Sequence, residues 1–132
     1  MRWCSVARST RLMDRIGLDA AQRKASRRTL YAAQAMHRYF AEALAGDALA
    51  VSVRLLEHDD KRMRVWLEMF GRDGVAVAAS EQTLLSIDRS GATPRVADWR
   101  AETRSALDAL ARAQRDLAAP SLAGRGVTMR RD

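Results

Sequence analysis

Between Leu49 and Ile87 apolar residues fall on every second position in three consecutive stretches, and this period of two restricts the chain more than any other feature. Leu49, Val51, Val53 and Leu55 share one face of an extended segment; so do Met63, Val65, Leu67 and Met69; so do Val75, Val77, Ala79, Thr83, Leu85 and Ile87. The spacing predicts three half-buried strands over about 49–57, 62–70 and 75–87. His58-Asp59-Asp60-Lys61 is polar and short enough to close the first pair as a hairpin. For the second pair, a two-residue Asp73-Gly74 turn would set apolar against polar residues. A three-residue loop of Arg72-Asp73-Gly74, with Gly74 left-handed, pairs Gly71 with Val75 and matches the apolar rows. That register would put Val65 opposite Glu81.

The flanking segments follow other rules. Val6, Leu12, Met13 and Ile16 lie on one side of a 3.6-residue repeat ended by Gly17, which predicts a helix over about 5–16. Asp19 to Arg28 is polar and basic without periodicity and reads as a loop. Thr29 to Phe40 is divided: Ala32-Ala33-Gln34-Ala35-Met36 suits a helix, whereas Tyr31, Tyr39 and Phe40 suit a strand. After Pro94 the stripe Val96, Trp99, Thr103, Ala106, Leu110, Ala113 and Leu117 predicts a helix over about 95–118, docked on the sheet or a partner, with Trp99 in the core. Arg104, Asp108, Arg112 and Asp116 alternate in sign on its other side and solvate it. Residues 119–132, with Pro120, Gly124 and Gly126, are expected to be a flexible tail. At 132 residues the rest, 1–118, is expected to be a single domain.

Charge and composition narrow the functions. The formal charge is +7, and most of the excess lies between Met1 and Arg28, where eight basic residues face only Asp14 and Asp19. Such a cluster suits nucleic acid, an acidic membrane surface or a phosphate-bearing ligand, or is a solvated basic surface. Cys4 is the only cysteine, so neither an intrachain disulfide nor a cysteine metal cage forms. No apolar run approaches the roughly 18 residues of a spanning helix, and the first residues lack the apolar region of a secretion signal. A cytoplasmic protein is expected. There is no Gly-rich phosphate loop, zinc spacing or Ser-His-Asp arrangement, so no cofactor and no metal are implied.

Four runs carry a more specific likeness: Arg15-Ile16-Gly17-Leu18-Asp19-Ala20, Gly46-Asp47-Ala48-Leu49, Asp60-Lys61-Arg62-Met63 and Ala79-Ser80-Glu81-Gln82-Thr83-Leu84-Leu85-Ser86-Ile87-Asp88. With the order helix, antiparallel sheet, helix, the chain from about Leu12 to Asp88 resembles the hotdog-fold 4-hydroxybenzoyl-CoA thioesterase-like superfamily. Within it the likeness is to the betainyl-CoA thioesterase branch, which includes domains fused to carnitine dehydrogenases. The resemblance implies an α+β hotdog fold, an antiparallel sheet around the central N-terminal helix with an amphipathic C-terminal helix. It moves residues 29–40 from helix to strand. It also implies an acyl-CoA ligand and a homodimer or higher oligomer, with acyl group and pantetheine between subunits. Tyr31, Gln34, His37 and Trp66 become candidate substrate contacts, Trp66 through a cation–π contact to a quaternary ammonium group. Arg8, Arg11 and Arg15 become candidates for the coenzyme A phosphates.

Relatives begin with a strand and a turn of the type Asp-x-Asn-Gly-His-x-Asn that commonly supplies the catalytic carboxylate; this chain has no such motif. The expectation is that the start of the protein lies upstream, that the first strand comes from elsewhere, or that this is an inactive relative. Thioester hydrolysis needs a base for water or a nucleophile, and a group to stabilise the oxyanion. Glu81, placed by alternation in the apolar row between Ala79 and Thr83, is the candidate base, with a structural hydrogen bond as the competing role. His37 and His58 are isolated; a packing residue and a turn residue are the plain readings. Three functions follow: an acyl-CoA thioesterase for a small or polar acyl group, an inactive hotdog module that binds acyl-CoA or only dimerises, and a basic nucleic-acid-binding domain resting on Arg8 to Arg28. No recognition helix or stacking aromatics support the last.

Overall fold

The computed structural model describes residues 15–42, 49–117, 120, 123 and 124. The three alternating segments are strands β2 (Ala50–His58), β3 (Arg62–Phe70) and β4 (Ala76–Asp88), preceded by β1 (Arg28–Tyr39) and followed by the short β5 (Arg95–Val96). They form one antiparallel sheet in the order β1-β4-β3-β2, with β5 on the end of β4. The divided segment is therefore a strand: pairing along β4 from Arg28 opposite Asp88 to Tyr39 opposite Ala78 overrides the helix propensity of its alanines. Val51, Leu55, Met63, Val65, Leu67 and Met69 turn one sheet face into the core, where Ile16, Leu18, Leu107 and Leu110 close over it. Burial of a side chain of this size contributes about 1.5–3 kcal/mol.

Three local expectations are corrected. Asp19 to Arg28 is not all loop, because α1 (Ala20–Ser26) forms there. The Asp19 carboxylate accepts from the Gln22 amide at 2.8 Å, and Gln22 Oε1 accepts from the Asp19 amide at 3.3 Å, a reciprocal cap. The helix buries no residue, so no apolar period announced it. The C-terminal helix, α2 (Ala101–Ala113), is shorter than 95–118. Val96 belongs to β5 instead, Trp99 is buried before the helix with its indole N–H on the Asp59 carbonyl at 2.8 Å, and Leu117 lies beyond the helix and is exposed. The buried stripe is Thr103, Leu107 and Leu110; Leu107 has 0% exposure and is absent from the stripe read along the sequence.

The third correction is one of register. The three-residue loop forms as expected, with Gly71 N–H donating to the Val75 carbonyl at 2.9 Å and Gly74 at φ 78°. Phe70 faces Ala76, but Met69 then faces Ala78, so Val77 is an extra residue in β4. Its carbonyl accepts from the Phe40 and Ala41 amides at 2.9 and 3.3 Å, fastening the end of β1. Beyond the bulge every residue of β4 changes face: Val65 meets Gln82, and Glu81 meets Trp66.

The helix expected over 5–16 lies outside the described residues apart from Arg15 and Ile16. Of the expected tail, Pro120, Ala123 and Gly124 are described, and they form a turn closed by Ala123 N–H on the Pro120 carbonyl at 3.0 Å.

Candidate functional site

Glu81 sits on the sheet face opposite the core, in a row that runs Met36, Glu81, Trp66, Arg54 across β1, β4, β3 and β2. Its side chain is 12% exposed. One carboxylate oxygen accepts from Arg64 Nη1 at 2.7 Å, and the other accepts from the Gly124 amide at 2.8 Å. Arg64 also reaches Glu57, Nε to Oε1 at 3.0 Å. The Glu81 carboxylate, as the leading cause, raises the Arg64 pKa above its ordinary value. The bulge at Val77 thus gives this half-buried carboxylate a counter-ion that the straight register would have denied it.

The candidate substrate contacts divide between the two faces. Tyr31 faces Leu85 and Gln34 faces Thr83, so both share the Glu81 face, as does Trp66. Trp66 is 4% exposed and donates its indole N–H to Glu68 at 2.7 Å. His37 pairs with Ser80, which pairs in turn with the core residue Leu67, so it lies in a core-side row and is itself exposed. Of the three arginines proposed for phosphates, Arg15 is exposed, while Arg8 and Arg11 lie outside the described residues.

A basic pocket of about 620 Å³ opens where the C-terminal end of α1 meets the start of β1 and the loop after β4. Arg23, Lys24, Arg27, Arg28 and Arg89 line it, together with Thr29, Gly91, Ala92 and Pro94, and no Asp or Glu among the described residues does. Arg27 caps α1 in the left-handed conformation, φ 59° and ψ 26°, with its amide on the Arg23 carbonyl at 2.9 Å. Arg27 Nη2 donates to the Arg89 carbonyl at 3.4 Å, and Arg28 Nη1 to the Asp98 carbonyl at 2.8 Å. Neighbouring Asp88 accepts from the Ser90 amide and hydroxyl and from Arg95; the Ser90 bonds lead in holding its carboxyl down at about 2. Sequence reading counted four of these cations within the basic N-terminal excess, but Arg89 joins them only through the β1–β4 pairing, in which Arg89 N–H donates to the Arg27 carbonyl at 2.8 Å.

His58, expected in a turn, ends β2 and meets Asp108 of α2, Nε2 to Oδ1 at 2.8 Å. That hydrogen bond is the main reason the Asp108 pKa is lowered. A smaller cavity of about 230 Å³ beside it is lined by Glu57, His58, Asp59, Arg62, Met63, Arg64 and Thr83. Among the described residues there is no group of three His, Cys, Asp or Glu that could hold a metal ion, and no helix long and apolar enough to cross a membrane.

The chain matches the family model described as the thioesterase-like superfamily over residues 1–107. It is 36% identical over 115 residues to the betainyl-CoA thioesterase of Pseudomonas aeruginosa strain PAO1, an alignment that spans 86% of this chain and 71% of that protein. A crystal structure from Pseudomonas putida KT2440, provisionally described as a thioesterase, is 30% identical with a TM-score of 0.71, over 91% of this chain and 75% of that one. A hypothetical protein of Staphylococcus aureus, solved in complex with CoA, is 20% identical and superposes with a TM-score of 0.81 over 92% of this chain and 76% of its own, a likeness of fold.

Proposed function

The chain belongs to the thioesterase-like superfamily, and from that premise we propose that it hydrolyses the thioester of a small or polar acyl-CoA. The observation that carries the reading is the 36% identity to a betainyl-CoA thioesterase across 71% of that protein. In the reaction, water adds to the thioester carbonyl and loses a proton to a base. The tetrahedral intermediate then expels the coenzyme A thiolate and leaves the acyl carboxylate. Among the described residues Glu81 is our candidate base. It is half-buried, pairs with Trp66, shares its sheet face with Gln34 and Tyr31 further along, and would take the proton after exchanging its Gly124 amide for water. A cytoplasmic homodimer is part of the same reading, since the family resemblance implies a ligand held between subunits.

Purified protein incubated with betainyl-CoA and a panel of short and polar acyl-CoAs, with a thiol reagent as the readout, tests it. Release above the uncatalysed background on at least one of them is expected, and none on any would sink the enzymatic reading. One observation favours the inactive module instead: both Glu81 oxygens are already engaged, by Arg64 and Gly124. Coenzyme A binding without turnover would select that alternative.

A further inference from the structure

We propose that the chain following α2 is an inhibitory latch on the Glu81 carboxylate, closed by the Gly124 amide, and that opening it gives water access to the candidate base. This rests on the thioesterase reading above and adds to it a control of the site by the protein's own backbone.

The row Glu81, Trp66, Arg54 crosses β4, β3 and β2 on the face away from the core. Among the described residues, the chain after α2 is fastened to both ends of that row. Arg54 Nη2 donates to the Leu117 carbonyl at 2.7 Å, and the Gly124 amide donates to Glu81 Oε2 at 2.8 Å. Between these points Ala123 N–H closes its turn on the Pro120 carbonyl at 3.0 Å. Trp66 lies in the middle of the row and outside the core cluster, yet it is 4% exposed, the mark of a covered face. Gly124 itself has φ 76°, which glycine adopts without strain. A Cβ there would stand 3.7 Å from Arg64 Nη1, an ordinary contact, so the backbone angle rather than space favours glycine.

A carboxylate acts as a base only through an oxygen that reaches the attacking water. Glu81 Oε1 meets Arg64 at 2.7 Å, Oε2 meets Gly124, and the side chain is 12% exposed, so the closed arrangement keeps water from both. The two partners are held differently. Arg64 belongs to β3, which pairs with β4 along its length, and it also meets Glu57 at 3.0 Å. Gly124 is exposed and stands outside the helices and the sheet. A hydrogen bond to a charged group sets itself there against the backbone entropy of an ordered turn, a shallow hold. The Gly124 contact is therefore the one that opens, and Arg64 stays beside the carboxylate when it does.

Gly124→Pro in the full chain tests the latch, because proline has no amide hydrogen and is locked at negative φ. The position lies outside the regular elements, so the circular dichroism should match the wild type. Labelling of carboxylates with a carbodiimide and glycine ethyl ester, located by mass spectrometry, should modify Glu81 about tenfold faster in the variant, as expected when a local closure is lost. Glu102, half-exposed on α2, should react equally in both proteins. Gly124→Ala keeps the amide but strains the backbone, and should fall between them; it carries the same comparison if the proline variant loses its native circular dichroism. The value of kcat/KM for acyl-CoA should rise about tenfold with the labelling rate. Equal labelling of Glu81 in the wild type and both variants would overturn the latch, and if the wild type hydrolyses acyl-CoA the thioesterase stands without it. A variant whose Glu81 is unmasked but which hydrolyses no faster than an active wild type would overturn the inhibition. If Glu81 is unmasked and neither protein hydrolyses any thioester, the latch stands as a cover of the carboxylate and catalysis falls.

Discussion

Glu81 has two partners for one carboxylate, and this decides how its replacement should behave. Glu81→Gln keeps one oxygen for either Arg64 or the Gly124 amide but loses the charge that Arg64 faces, so urea denaturation should show a loss of about 1–3 kcal/mol. If Glu81 is the base, hydrolysis falls about 100-fold or more in a protein that still gives the native circular dichroism. Unchanged turnover removes it from the chemistry and leaves the structural role. Alternation put Glu81 in the apolar row opposite Val65; the bulge that sets it opposite Trp66 comes from the Val77 carbonyl meeting Phe40 and Ala41, a contact across more than thirty residues that no local pattern carries. Arg27 offers a cleaner test of backbone strain. Both Arg27→Gly and Arg27→Ala remove the guanidinium, but only glycine is at ease at φ 59°, so the glycine variant should be the more stable of the two by up to about 1 kcal/mol in thermal unfolding. Equal stability would show that the left-handed cap is unstrained.

At the scale of elements, packing rather than propensity decided what was legible. β2 and β3 were visible because every second apolar residue turns into the core; β4 was visible by the same alternation, although beyond the Val77 bulge its odd-numbered row faces away from the core. α1 was not, because it buries nothing, and the Asp19–Gln22 cap and the Arg27 cap that bound it leave no apolar period. α2 was visible in kind but misplaced at its start, since Arg95 and Val96 are drawn into the sheet by Asp88 and Ile87 before the helix begins. The consequence is measurable: Leu107→Ala should cost about 2–5 kcal/mol, while Leu117→Ala, past the helix and exposed, should stay within about 0.5 kcal/mol. Asp88, which ties the end of β4 to Ser90 and Arg95, makes a prediction about acid. Its folded pKa of about 2 lies below the ordinary 3.8, so the folded state binds that proton less readily than the unfolded chain. Its contribution is whole above about pH 4 and is lost as the pH falls from there through 2. In unfolding curves taken across that window, the difference between wild type and Asp88→Asn should shrink steadily and lose its charge-dependent part below about pH 2; a constant difference would mean that the carboxylate's charge contributes nothing.

The molecule as a whole has two sheet edges of unequal character, and from them follows where a second copy would pair. On the β2 edge the Leu55 amide donates to Gln114 Oε1 at 3.1 Å, and Arg54 reaches the Leu117 carbonyl at 2.7 Å, so the segment after α2 already lies along that side. β1, at the other edge, is twelve residues long and exposed through most of its length, ending in Tyr39 at 66% and Phe40 at 50% exposure. A long edge strand carrying aromatic residues and few charges invites pairing with another chain. Neither edge could be read along the sequence, because which strand lies outermost depends on the pairing of β1 with β4 across some fifty residues. The homodimer we propose should therefore form through β1, and sedimentation velocity at tens of micromolar should give about twice the 14.7 kDa of the chain. Ala35→Lys with Tyr39→Lys puts two charges on exposed positions of that edge, without touching the core, and should shift the protein to monomer while its β-sheet circular dichroism persists. If the site needs both subunits, kcat/KM for acyl-CoA falls in step with the dimer fraction. A wild type that sediments as a monomer would dispose of the dimer, and a variant that remains dimeric would move the interface off β1.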